Sequence, residues 1–378
     1  MKKRILSGIL TVMMAITMLA GCGSKATDST NIDSGTKTTV KESDTEESSG
    51  ELTHVTVATP TTLESLDQVV PFIAEKMGYF EEEGLDVTIV DGTGNDTKMI
   101  AAGQAQFGCP SPAVMMAADE AGLDLIAVCN YCVVNVFGFA VPEDSSIETW
   151  ADFEGKTIAL GDASWQSIAE PILEAAGIDV SKVEFQVIGD TRYQAVANGQ
   201  CDILLTWLGE YGQLLGQGYK FRYFDGNEVS PQVSNGIVCQ RTYAENNPEI
   251  IKKMTTAYCK AIYFLYCNPE AAGDILLTRC PSIELSKDEL LSALEYSNKT
   301  NLGVTEEDQK AYIESGIGLY DKQLWQNTME AAFKAGTITK EMDVSMLYTN
   351  DYVVTDWDKA EVEEDAKEYT EFTSEVFQ

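Results

Sequence analysis

From His54 onward the chain alternates short apolar runs with stretches whose apolar residues recur at helical spacing, and it does so twice. Residues 54–59 read as a strand with Val55 and Val57 on one face. Residues 66–80 follow a helical pattern with Pro71 inside, so a kink or a late start is expected there. Strands at 85–90, 106–108 and 125–128 alternate with helices at 98–102 and 111–121. After 137–141 the rhythm restarts with strands at 156–160, 184–188 and 202–206, and helices at 164–176 and 193–198 between them. Further strands are expected at 221–224 and 236–240, and beyond Pro248 the pattern is almost wholly helical. A repeated βαβα order builds open parallel sheets with helices on their faces. The expected fold is α/β, with two doubly wound halves and a helical C-terminal region.

Composition narrows the function classes. At 378 residues, 44% of them hydrophobic, the chain can bury the cores of two domains. A formal charge of −34 excludes nucleic acid as a partner, because neutralising phosphates needs a basic face. A single histidine, His54, nearly removes imidazole triads and metal sites. Neither a metal nor a cofactor is expected: the glycine-rich loop at 92–96 is too short for a dinucleotide fingerprint. Nine cysteines in a chain this long do not make a small disulfide scaffold. Cys129 and Cys132 form a C-x-x-C in or beside a strand, where that spacing sends side chains to opposite faces. Buried free thiols are therefore expected rather than a redox pair.

The N-terminal residues read as an address. Lys2, Lys3 and Arg4 precede an apolar run from Ile5 to Ala20, the pattern of an export signal. The run ends Leu19-Ala20-Gly21-Cys22, which resembles the bacterial lipobox. That resemblance implies a signal peptide at 1–21, removed to leave Cys22 as the lipid attachment residue, carrying palmitate or a similar acyl chain. Residues 22–51 are Ser, Thr, Asp, Glu, Lys and Gly with almost nothing apolar, so a disordered tether is expected. No later segment reaches the ~18 to 20 apolar residues that span a bilayer, which leaves the lipid as the membrane anchor on the extracytoplasmic face. The acidic tail at 356–378 is expected to be solvated.

Five segments read together resemble a known family. They are Ala74-Glu75-Lys76-Met77-Gly78-Tyr79-Phe80, Glu83-Gly84-Leu85-Asp86-Val87 and Ala102-Gly103-Gln104-Ala105-Gln106-Phe107-Gly108, followed by Asp152-Phe153-Glu154-Gly155-Lys156-Thr157-Ile158 and Ala197-Asn198-Gly199-Gln200-Cys201-Asp202. Over residues 52–340 they are similar to the substrate-binding proteins of bacterial ABC importers for nitrate, sulfonate, taurine and thiamine-pyrimidine precursors. The resemblance implies the periplasmic binding protein type II fold, in which two α/β domains joined by two crossings close on ligand. Domain I would comprise 52–141 and 236–355, and domain II 142–235, hinged near Pro142 and Pro231. It also implies a small-molecule ligand, ABC importer permease subunits as partners, and a monomer.

In doubly wound sheets ligands sit outside the carboxyl ends of strands, against helix N-termini. That rule selects Thr61, Thr62 and Glu64 after the first strand, and Cys109, Pro110 and Ser111 after the third. It adds Asn130, Tyr131 and Asn135 after the fourth, and Asp162, Ser164 and Trp165 after the first strand of the second half. Trp207, Glu210 and Tyr211 follow the strand at 202–206. Trp165 and Trp207 suit an aromatic platform for a flat ligand, although inter-domain packing would account for them too. Ser111 and Ser164 are also good helix N-caps. The loops carry three acids and no Lys or Arg, with Arg192 the nearest cation on a neighbouring loop. Such a balance favours a neutral or weakly cationic heteroaromatic, such as a pyrimidine or other vitamin precursor, over taurine, an alkanesulfonate or another small anion. Some relatives in the superfamily synthesise the thiamine pyrimidine. The cysteine-rich motif of those enzymes is missing here, and Cys109-Pro110 does not replace it, so binding without catalysis is expected.

Overall fold

A computed structural model describes residues 52–378. The expected signal peptide, Cys22 and the tether up to residue 51 lie outside the described residues. Ten strands form two five-stranded sheets. In chain order they are β1 (Thr53–Thr59), β2 (Leu85–Asp91), β3 (Phe107–Gly108), β4 (Leu125–Asn130), β5 (Phe137–Pro142), β6 (Thr157–Leu160), β7 (Glu184–Val187), β8 (Ile203–Trp207), β9 (Phe221–Asp225) and β10 (Gly236–Gln240). The first sheet has the order β2-β1-β3-β10-β4 and the second β7-β6-β8-β5-β9.

Each sheet is mixed rather than wholly parallel, which corrects the sequence expectation. Strands β1, β2 and β3 are parallel, as are β6, β7 and β8, because helices return the chain between them. Strand β10 runs antiparallel to β3 and β4, and β5 runs antiparallel to β8 and β9. Both strands enter their sheet from the other half of the molecule instead of through a helical crossover. Strand β5 belongs to the second sheet, so the first crossing precedes Phe137 and does not lie at Pro142.

Pro71 delays its helix as the pattern suggested. A short 3₁₀ turn, Leu66–Gln68, leads into the helix Val69–Lys76, with Pro71 in the first turn, where a missing N–H costs no intrahelical bond. Its buried face packs on the long helix Pro248–Cys267, whose Tyr258, Ile262 and Phe264 are at the centre of the first lobe. Phe139, Phe153, Ile158 and Leu173 centre the second. All eight described cysteines are free and seven are buried. Cys129 Sγ lies 4.0 Å from Cys259 Sγ, and Cys132 faces Asn301.

The acidic tail docks instead of fraying. Val362 and Ala366, four residues apart on the helix Lys359–Glu368, are buried together with Trp357. The carboxylate of Asp274, itself fully buried, accepts the Tyr369 hydroxyl and the N–H groups of Thr373 and Ser374. Apolar spacing and this one buried acceptor outweigh the tail's charge.

The two crossings run side by side. Asn227 Oδ1 accepts the Asn135 N–H at 2.7 Å, and Asn227 Nδ2 donates to the Asn135 carbonyl at 2.8 Å. Cys132 and the backbone at 234–235 are also hydrogen-bonded. A third link is non-covalent: the helix Lys287–Leu302 lies against the helix Leu208–Gly216 of the second lobe. Gly212 and Gly216 permit that approach, since a β-carbon on Gly216 would come within 2.4 Å of Glu289 Cα.

Candidate functional site

A cavity of about 380 Å³ opens between the two lobes. One wall is the loop after β1, with Glu64, Ser65, Leu66 and Asp67. Ser65 folds this loop by capping the following 3₁₀ turn, its hydroxyl accepting the Asp67 N–H at 3.3 Å. The opposite wall is the start of the Leu208–Gly216 helix, with Trp207, Gly209, Glu210 and Gln213. Residues Ser282–Leu285 close the third side. Burial within this narrow space pushes the Asp67 carboxyl above its usual range, against the lowering effect of its bond with Ser65. The side chain itself is exposed, on the wall of a cavity that opens to solvent.

Beneath the Trp207 wall sits a buried ion pair. Arg192 reaches both carboxylate oxygens of Glu210 from Nη2 at 2.5 Å, with 4% of the arginine side chain and 13% of the glutamate exposed. Thr206 Oγ1 donates to the same carboxylate at 2.5 Å, and Arg192 Nε donates to the Leu205 carbonyl. Burial still raises the Glu210 pKa, outweighing the Arg192 charge and these hydrogen bonds. The guanidinium lies 4.7 Å from the Trp165 ring centre and 5.7 Å from that of Trp207. The two indoles meet edge to face at 6.0 Å and 76°, so they do not form one flat platform. Phe137 extends the row, 6.2 Å beyond Trp165.

A second cavity, of about 200 Å³, lies near the crossings. It is bordered by Ser111, Asn135, Phe137, Gln232, Asn235 and Thr328, among others, and by apolar side chains of the helices Gln166–Ala175 and Lys322–Lys334.

These positions sort the sequence candidates. Glu64, Trp207 and Glu210 line the larger cavity, and Ser111 and Asn135 the smaller. Thr61 accepts from Gln68 Nε2 at 2.7 Å, and the Thr62 carbonyl accepts the Ser65 N–H, so both shape the loop without bordering either cavity. Trp165 packs over Gly161, behind Trp207, while Asp162 is exposed and Ser164 lies in the turn Ala163–Trp165. Asn130, Tyr131 and Tyr211 are built into the lobes: Asn130 donates to the Leu319 carbonyl, Tyr131 packs near Tyr258, and Tyr211 donates to the Phe221 carbonyl. Cys109 and Pro110 are buried and border neither cavity. Sequence reasoning missed Asp67, Gln213 and residues 282–285. For Asp67 the Ser65-x-Asp67 spacing was a usable turn signal; residues 282–285 come from a distant helical region and carried none.

Residues 68–272 match the family model described as NMT1/THI5 like. The chain is 25% identical over 291 residues to the riboflavin-binding protein RibY of Chloroflexus aurantiacus, covering 75% of this chain and 81% of that protein. It is 26% identical over 237 residues to the formylaminopyrimidine-binding protein of Halalkalibacterium halodurans, covering 59% and 71%. Among solved structures, the periplasmic aliphatic sulphonate binding protein SsuA from Escherichia coli superposes with a TM-score of 0.61 at 17% identity, over 79% of this chain and 92% of that one. The two lobes, their paired crossings and the helical C-terminal region thus have the architecture of periplasmic binding proteins, and the chain belongs to the NMT1/THI5-like family.

Proposed function

We propose that the chain is an extracytoplasmic solute-binding lipoprotein that captures a small, flat heteroaromatic molecule and delivers it to the permease subunits of an ABC importer. The observation that carries this reading is the chemistry of the larger cavity. Glu64, Asp67 and Glu284 line it beside Trp207, no Lys or Arg does, and the fourth carboxylate, Glu210, is held by Arg192 behind the wall. Carboxylates there suit a ring that donates hydrogen bonds, and they repel a sulfonate or nitrate. The two curated relatives carry names of flat heteroaromatic ligands, which agrees.

Binding without catalysis is the accompanying proposal. His54 is 59% exposed at the head of β1 and pairs with Asp86, away from the cavity. Burial pushes the Cys239 thiol up to about 12 and raises Cys109 further, so neither is poised as a thiolate. A thermal-shift series with pyrimidines, flavins, taurine and alkanesulfonates tests the ligand class. Heteroaromatics should raise the melting temperature in proportion to the logarithm of concentration over Kd. Stabilisation by sulfonates alone would overturn the reading.

Closure is proposed to hinge at the paired crossings, residues 131–136 and 226–235. The Lys287–Leu302 helix would act as a third support that shifts with the second lobe. Lipid anchoring through Cys22 rests on the lipobox-like sequence, and no described helix is long and apolar enough to cross a membrane. Cys22→Ala should yield protein that incorporates no labelled fatty acid. Incorporation at the wild-type level would refute the assignment.

A further inference from the structure

We infer that Gly209 is a specificity-determining residue. It keeps open a notch in which one polar edge of the ligand donates to Asp67 of the first lobe and accepts from the Trp207 indole of the second. The inference deepens the proposed function and rests on it. Three observations carry it. First, the fold does not require this glycine. The helix Leu208–Gly216 has glycines at 209, 212 and 216. A β-carbon on Gly212 would come within 2.6 Å of the Tyr296 ring, and one on Gly216 within 2.4 Å of Glu289 Cα, so packing on the Lys287–Leu302 helix excludes side chains at both. A β-carbon on Gly209 would meet nothing closer than 3.4 Å, an ordinary contact, and its backbone is outside the left-handed region. Alanine would fit there, and it would stabilise the fold by restricting the unfolded chain. The cavity, not the packing, is what a side chain at 209 would disturb.

Second, the groups nearest to the missing β-carbon are polar and come from opposite lobes. Asp67 Oδ1 lies 3.4 Å from its position, and so does Trp207 Nε1. Asp67, Trp207 and Gly209 all border the larger cavity. Third, neither atom has a hydrogen-bond partner among the described residues. Ser65 bonds the other carboxylate oxygen of Asp67, and the Trp207 indole N–H donates to no protein group. An ionised carboxylate only accepts and an indole N–H only donates, so an edge seated between them must do both. A ring N–H beside a carbonyl has that pattern. A methyl group at 209 would occupy the notch, offer no hydrogen bond, and leave both atoms without partners when the ligand covers them.

Calorimetry and melting curves on the full chain test this with two matched pairs: uracil with 1,3-dimethyluracil, and lumiflavin with 3-methyllumiflavin. Methylation removes the ring N–H donor in each pair. The wild type should bind the unmethylated member of a pair roughly tenfold or more tightly than its methylated partner. Gly209→Ala should abolish most of that preference by weakening the unmethylated member, while raising the ligand-free melting temperature by about 1 to 2 °C. Gly212→Ala, where packing forbids a side chain, should lower it. An undiminished preference in Gly209→Ala would overturn the role of Gly209 and leave the proposed function standing. A lower melting temperature for Gly209→Ala would show that the fold itself needs the glycine, and would overturn that role too. Equal affinities for methylated and unmethylated rings in the wild type would overturn the notch alone. Binding of none of the four rings would overturn both this inference and the proposed ligand class.

Discussion

Replacing Arg192 with Met is expected to destabilise the protein by about 3 to 5 kcal/mol, the usual cost of leaving a buried charge without its partner. Arg192 is almost fully buried and reaches both oxygens of Glu210, so the variant leaves that carboxylate with Thr206 alone. The effect should depend on pH, and its sign follows from the Glu210 pKa. Burial already holds that pKa above its usual value in the folded state, and removing the opposing arginine raises it further. A carboxyl whose folded pKa is raised penalises folding when ionised. The penalty is absent below the unfolded pKa and grows as pH rises toward the folded one. Denaturant titrations at pH 7 and pH 5 should therefore show a smaller gap between wild type and Arg192→Met at the lower pH. An equal gap at both would mean that the loss comes from packing under the two indoles. A double variant, Arg192→Met with Glu210→Leu, should recover much of the stability, because the stranded charge is gone.

How much of this was legible beforehand depends on the range of the interaction. Local periodicity located the strands and helices of both lobes, including the delayed helix at Pro71, because those patterns are set by neighbours in sequence. Strand direction was not legible for β5 and β10. Their residues alternate as any half-buried strand does, and nothing local records that the chain arrives from the other lobe. The tail was misread for a different reason. Its acidic composition hid the Val362–Ala366 spacing, and the decisive partner, Asp274, lies about a hundred residues away. At the site the same division holds. The strand-end rule selected Glu64, Ser111, Asn135, Trp207 and Glu210, which border the two cavities. It also swept in Asn130 and Tyr131 at the end of β4, and Tyr211 on the same helix as Glu210. A rule based on the end of a strand cannot tell which side chains turn inward. Arg192 stood out in the sequence only as a nearby cation; its burial under two indoles is a tertiary fact.

Truncating Trp207 should weaken ligand binding by about tenfold or more, at ~1.4 kcal/mol per decade, while costing less stability than the same change at Trp165. The sequence treats the two residues alike, as rings just past strand ends. The structure separates them. Trp207 is half-buried, lines the larger cavity and precedes the Leu208–Gly216 helix, so part of its side chain borders the space a ligand would fill. Trp165 stands behind it, against Phe137, Arg192 and the backbone at Gly161, where a β-carbon would come within 3.1 Å of the indole. Removing Trp165 therefore leaves a hole beside the Arg192–Glu210 pair and unseats the wall that Trp207 forms. Full burial would make an aromatic deletion cost about 3 to 5 kcal/mol, and Trp165, partly buried, should approach the lower end. Trp207→Ala instead removes a stacking surface, which contributes roughly 0.5 to 1.5 kcal/mol beyond burial, together with the apolar area that the ligand would cover. Calorimetric affinity and melting temperature measured on both variants discriminate the roles. Trp207→Ala should lose affinity with a nearly unchanged melting temperature, and Trp165→Ala should lose both. A collapsed melting temperature with intact affinity for Trp207→Ala would make it a packing residue and would move the ring-binding surface elsewhere in the cavity.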